Sequence, residues 1–262
     1  MPLSITLEDA GLFQMVCHLG GLSHPPGYPL FTTFCQSFVL LPLQKLIAGN
    51  LVSVLFALCA LLVLYQVVLS LTQDTSAALL AMILYGLSVT FWSQAIIIEV
   101  YSLAVLLFLV SFLCLVSYTK THRLRYFYLW IFFSGLSLSN HWPLFILSSI
   151  GCLFLLYESR RAWLAQIRRP LTWAISLAML TAGLLPYAVL ILTKQPEISL
   201  VGSIDSGEAF LDYVFRRYYS DTQLGSTASD KLGFLGWMSS YSFQQLTWVG
   251  LPFVLWGLLR SF

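Results

Sequence analysis

Charged residues are scarce in this sequence. Lys, Arg, Asp and Glu make up 9% of its 262 residues, whereas a soluble domain usually carries about 25%. With 58% hydrophobic residues, the chain has too few charges to cover the surface of a water-soluble globule. The sequence therefore predicts an all-α polytopic membrane protein, because helices satisfy their own backbone groups in lipid.

Basic stripes and metal-type spacings are also missing. The formal net charge of +2 comes from scattered residues, so nucleic acid is not a predicted partner. The cysteines lie in apolar stretches without a CxxC pattern, which predicts small buried or lipid-facing residues and no disulfide framework. They are Cys17, Cys35, Cys59, Cys114 and Cys152. We expect no metal and no cofactor, since no zinc-type, P-loop, GxGxxG or GxSxG pattern occurs.

Long apolar runs are what the sequence does have. The clear candidates for membrane spans are residues 49–72, 76–92, 95–118, 171–193 and 246–260. The stretch 124–157 is too long for one straight span and is interrupted at 140–143. It predicts either one kinked helix or a hairpin of two short helices.

The positions of the basic residues favour the hairpin. The loops on both sides of 124–157 are basic, through Lys120, Arg123 and Arg125 on one side and Arg160, Arg161, Arg168 and Arg169 on the other. Both loops are therefore predicted to be cytoplasmic, which requires an even number of crossings between them. This topology places residues 140–143, and all acidic residues except Asp74 and Glu158, on the outer side.

Two outer segments stand out in this topology. Residues 8–45 contain two apolar stretches, 10–22 and 28–43, separated by an HPPG bend. They predict helices on the membrane surface, although the second could also dip into the bilayer. Residues 194–245 form a second outer loop, long enough to be functional or to form a small subdomain. We treat residues 1–262 as a single transmembrane domain.

Acidic residues open the first outer segment. Asp9, with Glu8 beside it, precedes an apolar helical stretch. The carboxylate of Asp9 could cap that helix, or it could act as a general base whose pKa is raised by partial burial and by Glu8.

Glu99 and two histidines are further candidates. Glu99 is predicted to lie a few residues into a span, where a carboxylate is costly unless it serves a function. The alternative is a carboxylate that reaches to water beside Tyr101 at the interface. His24 and His141 could each be ordinary loop or helix-break residues. Their predicted position on the same face as Asp9 and Glu99 favours a shared cavity.

An arginine pair lies in the second outer loop. Arg216 and Arg217 occur in FRRYYSD, residues 215–221, against the general charge bias. They could pair with Asp212 or Asp221 on a solvated face. They could also bind an anion, because guanidinium groups bind phosphate with two hydrogen bonds.

Four stretches occur in the order of a known motif series. They are SITLEDAGLF (4–13), LGGLSHPPGYPLF (19–31), FWSQAIIIEVYSL (91–103) and GLSLSNHWPL (135–144). They resemble the EDSG, HPPGYPL, EVY and NH motifs of the family that includes the transmembrane protein O-mannosyltransferases, within the GT-C glycosyltransferase superfamily. FRRYYSD resembles a weaker motif of that family.

The resemblance implies a GT-C-like helical bundle with interfacial helices in its first outer loop. It implies an inverting enzyme that transfers a hexose, with mannose favoured, from a polyprenyl- or dolichyl-phosphate sugar to an extracytoplasmic acceptor, with protein Ser/Thr favoured. Membrane lipids would surround it, in the bacterial inner membrane or the endoplasmic reticulum membrane. Asp9, with Glu8, would be catalytic. The implied substrate-binding residues are His24, Pro26, Tyr28, Glu99, Tyr101, His141, Arg216 and Arg217.

Some features depart from the motif series. Ala10 replaces the usual serine, and Leu12 stands where some members have Glu. The short run before Asp9 and the early end predict a fragment or a truncated product, which leaves an inactive pseudoenzyme as an alternative. A polytopic transporter is a second alternative. It is disfavoured because the ionisable residues cluster at one interface and not near the bilayer midplane.

Overall fold

The computed structural model describes residues 1–2, 9–193, 198–199, 201–219 and 228–245, with 250, 252–253, 255–257 and 259. Within these residues the chain forms α-helices, one 3-10 turn at Arg217–Tyr219 and no strand, which confirms the all-α prediction. The helices are α1 (Asp9–Leu19), α2 (Pro29–Phe38), α3 (Lys45–Thr72), α4 (Thr75–Gly86), α5 (Val89–Ala95), α6 (Tyr101–Thr121), α7 (Leu124–Ser148), α8 (Ile150–Glu158), α9 (Arg160–Ile167), α10 (Pro170–Leu184), α11 (Tyr187–Leu192), α12 (Gly207–Val214) and α13 (Ala228–Gln245).

Among the helices of the described residues, α3 and α6 are long and apolar enough to cross a membrane without a break. If each of two bent helix pairs is counted as one span, the number of candidate spans rises to four. These pairs are α4 with α5, bent by 67°, and α7 with α8, bent by 72°. The predicted span 76–92 is thus interrupted after Gly86, and the predicted span 95–118 begins only at Tyr101. The predicted span 171–193 is divided between α10 and α11. Most of 246–260 lies outside the described residues.

The bundle is arranged around α6, which packs against α3 on one side and α7 on the other, while α10 packs against α7. Glycines allow the close approach of α7 and α10. A Cβ atom on Gly183 would lie 2.4 Å from the carbonyl oxygen of Phe132 and 2.8 Å from the Cα atom of Gly135. Small residues at such crossings permit the van der Waals contact that holds helices together in lipid.

Helix α7 is kinked at His141, which has φ −148° and ψ 79°. The backbone N–H of Leu144 donates to Nδ1 of His141 at 3.2 Å, so the imidazole caps the helical turn that follows. Pro143 lies in that first turn, where its missing N–H is not needed. The SNHWP sequence therefore ends one helical segment and begins the next.

The direction of the chain changes at this kink. Before it, Phe127 packs against Tyr118 near the end of α6, and the Asn140 side chain donates to the backbone oxygen of Val100, just before the start of α6. After it, Cys152 belongs to the same buried cluster as Tyr118 and Phe127. The chain thus runs along α6 in one direction and returns in the other. Whether each half crosses a membrane stays a prediction.

Helices α1 and α2 occupy the two apolar stretches of the first outer segment, and each is too short to cross a bilayer. Cys17 of α1 and Cys35 of α2 form a disulfide, with their Cα atoms 5.5 Å apart. The prediction that no cysteines pair was therefore wrong. The two residues are 18 positions apart, and only the docking of α1 against α2 brings them together.

Part of the second outer loop folds back onto the first. Leu22 donates its backbone N–H to the carbonyl oxygen of Ile198 at 2.8 Å. Leu22 also shares a buried cluster with Ile204, Tyr213 and Val214. Helix α12 is thereby held against the bend that separates α1 from α2.

Candidate functional site

Asp9 and His24 come together at the start of α1. Oδ2 of Asp9 lies 3.1 Å from Nε2 of His24, and the side chains are 52% and 12% exposed, respectively. Among the described residues, Nε2 of His24 has no aligned hydrogen-bond acceptor, so its contact with Asp9 is an electrostatic one and not a hydrogen bond. The half-exposed Asp9 carboxylate therefore remains accessible to a molecule from outside. Glu8 lies outside the described residues.

The HPPG bend fixes the position of His24. The Pro25–Pro26 peptide bond is cis, and Gly27 has φ +92°, a backbone conformation that glycine adopts without strain. The backbone N–H of Gly27 donates to the His24 carbonyl at 2.9 Å, and the Ser23 hydroxyl donates to the Gly27 carbonyl at 2.9 Å. Pro26 is buried inside this turn, so its contribution is to the shape of the bend.

Aromatic rings connect His24 to residues of the bundle. Its ring meets that of Tyr28 edge to face, with centroids 5.1 Å apart. Tyr28 lies 5.4 Å from His141, and His141 lies 5.7 Å from Tyr101. The four rings form a continuous row, which we call the ring row. It joins the bend, the kink of α7 and the first residue of α6.

Tyr28 lies in the middle of this row and is buried. Burial raises the pKa of its hydroxyl well above the usual range, and the negative charges of Asp9 and Glu99 act in the same direction, while the positive charge of Arg216 opposes them. The hydroxyl therefore stays protonated at neutral pH and can donate a hydrogen bond. Asp9, Glu99 and Arg216 all lie close enough to act on this one group.

Glu99 is buried, at 4% exposure, but it is not inside a helix. It belongs to the non-helical stretch between α5 and α6, so the prediction that it lies within the helix of a span was wrong. The hydroxyl of Ser53 in α3 donates to the Glu99 carbonyl at 3.0 Å and accepts from its N–H at 2.9 Å. These bonds replace the helical ones, which allows the helix to be interrupted in an apolar sequence.

A buried amide network supports the same stretch. Oδ1 of Asn50, in α3, accepts from the backbone N–H of Ile98 at 3.0 Å and from the side chain of Gln14 in α1 at 3.2 Å. The α3 helix thus links the helix that begins with Asp9 to the stretch that carries Glu99. Sequence reasoning missed these residues. Polar side chains three positions apart in an apolar helix, at Asn50 and Ser53, were the signal that could have found them.

The two adjacent arginines have different surroundings. Arg217 pairs with Asp212 at 2.8 Å and is 62% exposed, as the solvated-face alternative predicted. Arg216 instead acts electrostatically on Tyr28 and His141, and its guanidinium lies 5.3 Å from the ring of Tyr219. The structure therefore places Arg216, and not Arg217, with the other candidate residues.

Two properties of Arg216 are unusual for a surface arginine. Its Nε atom is buried and has no hydrogen-bond partner among the described residues. Its backbone has φ 58°, the left-handed conformation, which costs a residue with a side chain roughly 1–2 kcal/mol. Such strain persists where the surrounding structure enforces it, often at functional sites.

A cavity of about 370 Å³ lies next to the ring row. His141 lines it together with apolar residues of α3, α6 and α7, which include Leu64, Phe108 and Phe145. Within the described part of the chain, no three His, Cys, Asp or Glu residues are placed to hold a metal ion.

Known proteins resemble this chain in sequence. Residues 9–166 match the family described as protein O-mannosyl-transferase TMEM260 N-terminal domain. The chain is 29% identical to protein O-mannosyl-transferase TMEM260 of Mus musculus, over 88% of this chain and 34% of the relative. It is 26% identical to the Dictyostelium discoideum protein of the same name, over 98% of this chain and 34% of that relative. No solved structure matches it.

The chain thus spans about a third of the length of these curated relatives. The family match begins at Asp9 and continues past the kink at His141, so it includes every candidate residue except Glu8 and the two arginines. It covers more than half of the chain and confirms the family resemblance that the sequence indicated. This chain belongs to the protein O-mannosyl-transferase TMEM260 family.

Proposed function

We propose that this chain carries the active site of a membrane glycosyltransferase of the GT-C type. It transfers a hexose, with mannose favoured, from a polyprenyl- or dolichyl-phosphate sugar to a Ser or Thr hydroxyl of a protein acceptor. The observation that carries the proposal is the convergence on Tyr28 of an accessible acid, Asp9, and a half-buried cation, Arg216. A proton acceptor and an anion-binding group are the two parts that such a reaction requires.

Asp9 and Arg216 have separate roles in the reaction. The acceptor hydroxyl oxygen attacks the anomeric carbon of the sugar, and its proton passes to the Asp9 carboxylate. The bond between the anomeric carbon and the phosphate oxygen breaks, and the lipid phosphate leaves with the electron pair. Arg216 binds this phosphate, where negative charge increases in the transition state. Attack opposite to the leaving group inverts the anomeric configuration.

The other site residues orient these groups. His24, 3.1 Å from Asp9, holds the carboxylate in place at the mouth of the site. The protonated Tyr28 hydroxyl is a donor for a sugar or phosphate oxygen. Tyr101 and His141 extend the surface along which a sugar ring can pack. Glu99 accepts hydrogen bonds from sugar hydroxyls.

Several observations support an extracytoplasmic site. The Cys17–Cys35 disulfide joins the helix of Asp9 to α2, and disulfides persist in the oxidising endoplasmic reticulum lumen or bacterial periplasm. The basic loops are predicted to face the cytoplasm. The printed names of the mouse and Dictyostelium relatives support mannose as the sugar and a protein as the acceptor.

The sharpest test replaces Asp9 by Asn, which keeps the size of the side chain but removes its basicity. We expect sugar transfer to fall by at least about 100-fold, while binding of the lipid-linked donor is retained. Transfer is measured with a radiolabelled donor in membranes that contain the protein. The matched control is Asp205→Asn, an exposed aspartate in the second outer loop, which should transfer normally.

The result separates the alternatives. If Asp9→Asn turns over at a near-normal rate, Asp9 is not the base and the mechanism is wrong. If the parent protein binds the donor but transfers no sugar, the pseudoenzyme alternative is correct.

A further inference from the structure

The end of helix α12 is held by two separate parts of the site. Tyr213 is fully buried, and its hydroxyl donates to the carbonyl oxygen of Ser23 in the bend. Its ring lies directly against Gly27, since a Cβ atom there would be 2.6 Å from Cε1 of Tyr213. One anchor of α12 is therefore the turn that presents His24.

The second anchor comes from the kink of α7. The indole N–H of Trp142 donates to the carbonyl oxygen of Val214 at 2.7 Å. The same indole meets the ring of Phe215 edge to face, with centroids 6.3 Å apart. The carbonyl groups near a helix end have no partners in the helix itself, so Trp142 satisfies a group that would otherwise need water.

Both anchors attach residues just before Arg216, where its unusual backbone begins. The Arg216 N–H donates to the Tyr213 carbonyl at 3.2 Å, and the Arg216 carbonyl accepts from the Tyr219 N–H at 3.0 Å. The left-handed turn that directs Arg216 therefore begins at the anchored residue, Tyr213. The two anchors therefore contribute to the orientation of this turn relative to the ring row, in addition to the buried cluster that holds α12.

We propose that Trp142 and Tyr213 are positioning residues, which fix the guanidinium of Arg216 relative to both histidines of the site. Ser23 directly precedes His24, and Trp142 directly follows His141, so each anchor is one residue away from a ring of the ring row. The inference rests on the proposed function, in which Arg216 receives the phosphate of the donor. Pre-organisation of this kind lowers the cost of ordering the group on binding.

The test uses Trp142→Phe and Tyr213→Phe, each of which removes one hydrogen bond and keeps an aromatic ring. We expect each variant to raise the KM for the lipid-linked donor by about 3- to 10-fold, as the loss of one hydrogen bond allows. The KM for the acceptor should stay unchanged, because Asp9 and His24 keep their places. Both constants are measured by sugar transfer in membranes.

Two controls lose the same kind of bond outside the two anchors, and the Tyr187 control keeps the ring that packs against Phe210 of α12. Trp163→Phe removes an indole bond of 2.8 Å to the Leu156 carbonyl, and Tyr187→Phe removes a hydroxyl bond of 2.8 Å to the Leu138 carbonyl. We expect the parental donor KM for both. If the anchor variants change the donor KM no more than these controls, or raise both constants equally, the positioning role is wrong.

Hydrogen exchange gives a second measurement that does not depend on the reaction. By mass spectrometry, residues 207–219 should exchange faster in the two anchor variants than in the controls, and unchanged exchange would refute the anchoring. Arg216→Ala separates this inference from the proposed function. A normal donor KM in Arg216→Ala refutes the phosphate role. If Arg216→Ala raises the donor KM but the two anchor variants do not, only the positioning role is refuted.

Discussion

Arg216 and Arg217 are neighbours in the chain, but they differ in how much of their charge is available to a ligand. The Arg217 guanidinium is neutralised by Asp212 at the surface. The Nε atom of Arg216 is buried without a partner among the described residues. A buried donor without an acceptor is costly, and an incoming phosphate removes that cost.

This difference predicts that the two arginines are not equivalent. Arg216→Ala should raise the Kd for the lipid-linked donor by roughly 10-fold or more, the range for hydrogen bonds to a charged group. Arg217→Ala should leave the Kd near the parental value, because an exposed ion pair contributes little. Donor binding to the purified protein measures both, and equal effects of the two variants would contradict the assignment.

At the scale of elements, α3 supports the site although most of its residues are apolar. Its Asn50 and Ser53 side chains bond to the backbone of Ile98 and Glu99, and Asn50 also bonds to Gln14 of α1. The helix therefore acts as a common support for the Asp9 and Glu99 sides of the site. We therefore expect substitutions of Asn50 or Ser53 in α3 to alter the site, although α3 itself does not contribute a ring to the ring row.

Ser53→Ala tests this support. It leaves the buried N–H and carbonyl of Glu99 without their side-chain partner, which costs about 1–3 kcal/mol per group. We expect a lower melting temperature in detergent and a several-fold loss of sugar transfer. The matched control is Ser111→Ala, a buried serine of α6 that bonds to Ser134, away from the Glu99 stretch. It should melt earlier but transfer normally, and an equal loss of transfer in both variants would argue against a specific support.

At the scale of the whole molecule, the site depends on segments remote in sequence that meet at one end of the bundle. The disulfide-linked pair α1 and α2, the start of α6, the kink of α7 and the end of α12 all contribute. The turns after α6 and α8 lie at the other end, where Tyr118, Phe127 and Cys152 pack together. The molecule therefore has a candidate site at one end and its basic loops at the other.

This arrangement predicts opposite accessibility for two exposed positions. Asp205→Cys, in the second outer loop, should react with a membrane-impermeant thiol reagent added to the extracytoplasmic side. Arg161→Cys, in α9, should react only after the membrane is permeabilised. The parent protein, with its free cysteines Cys59, Cys114 and Cys152, supplies the background. Labelling of both positions from the same side would contradict the topology and the proposed mechanism.

The sequence alone determined the class of the protein, its family and most of its candidate residues. Scarce charge and long apolar runs are properties of the sequence itself, so they predict apolar helices independently of any tertiary contact. The bends at HPPG and SNHWP were visible because proline and glycine act on the backbone locally. The four motifs identified the family because their order along the chain is itself a property of the sequence.

Tertiary structure alone decided which residues meet. The Cys17–Cys35 disulfide, the interruption of the helix at Glu99 and the position of Arg216 near Tyr28 each depend on a partner outside the local sequence. A local sequence pattern does not indicate such partners, because a side chain on a distant helix can replace a missing backbone hydrogen bond or neutralise a charge. The anchoring of α12 by Tyr213 and Trp142 likewise follows from packing between remote segments, and no spacing in the sequence could have indicated it.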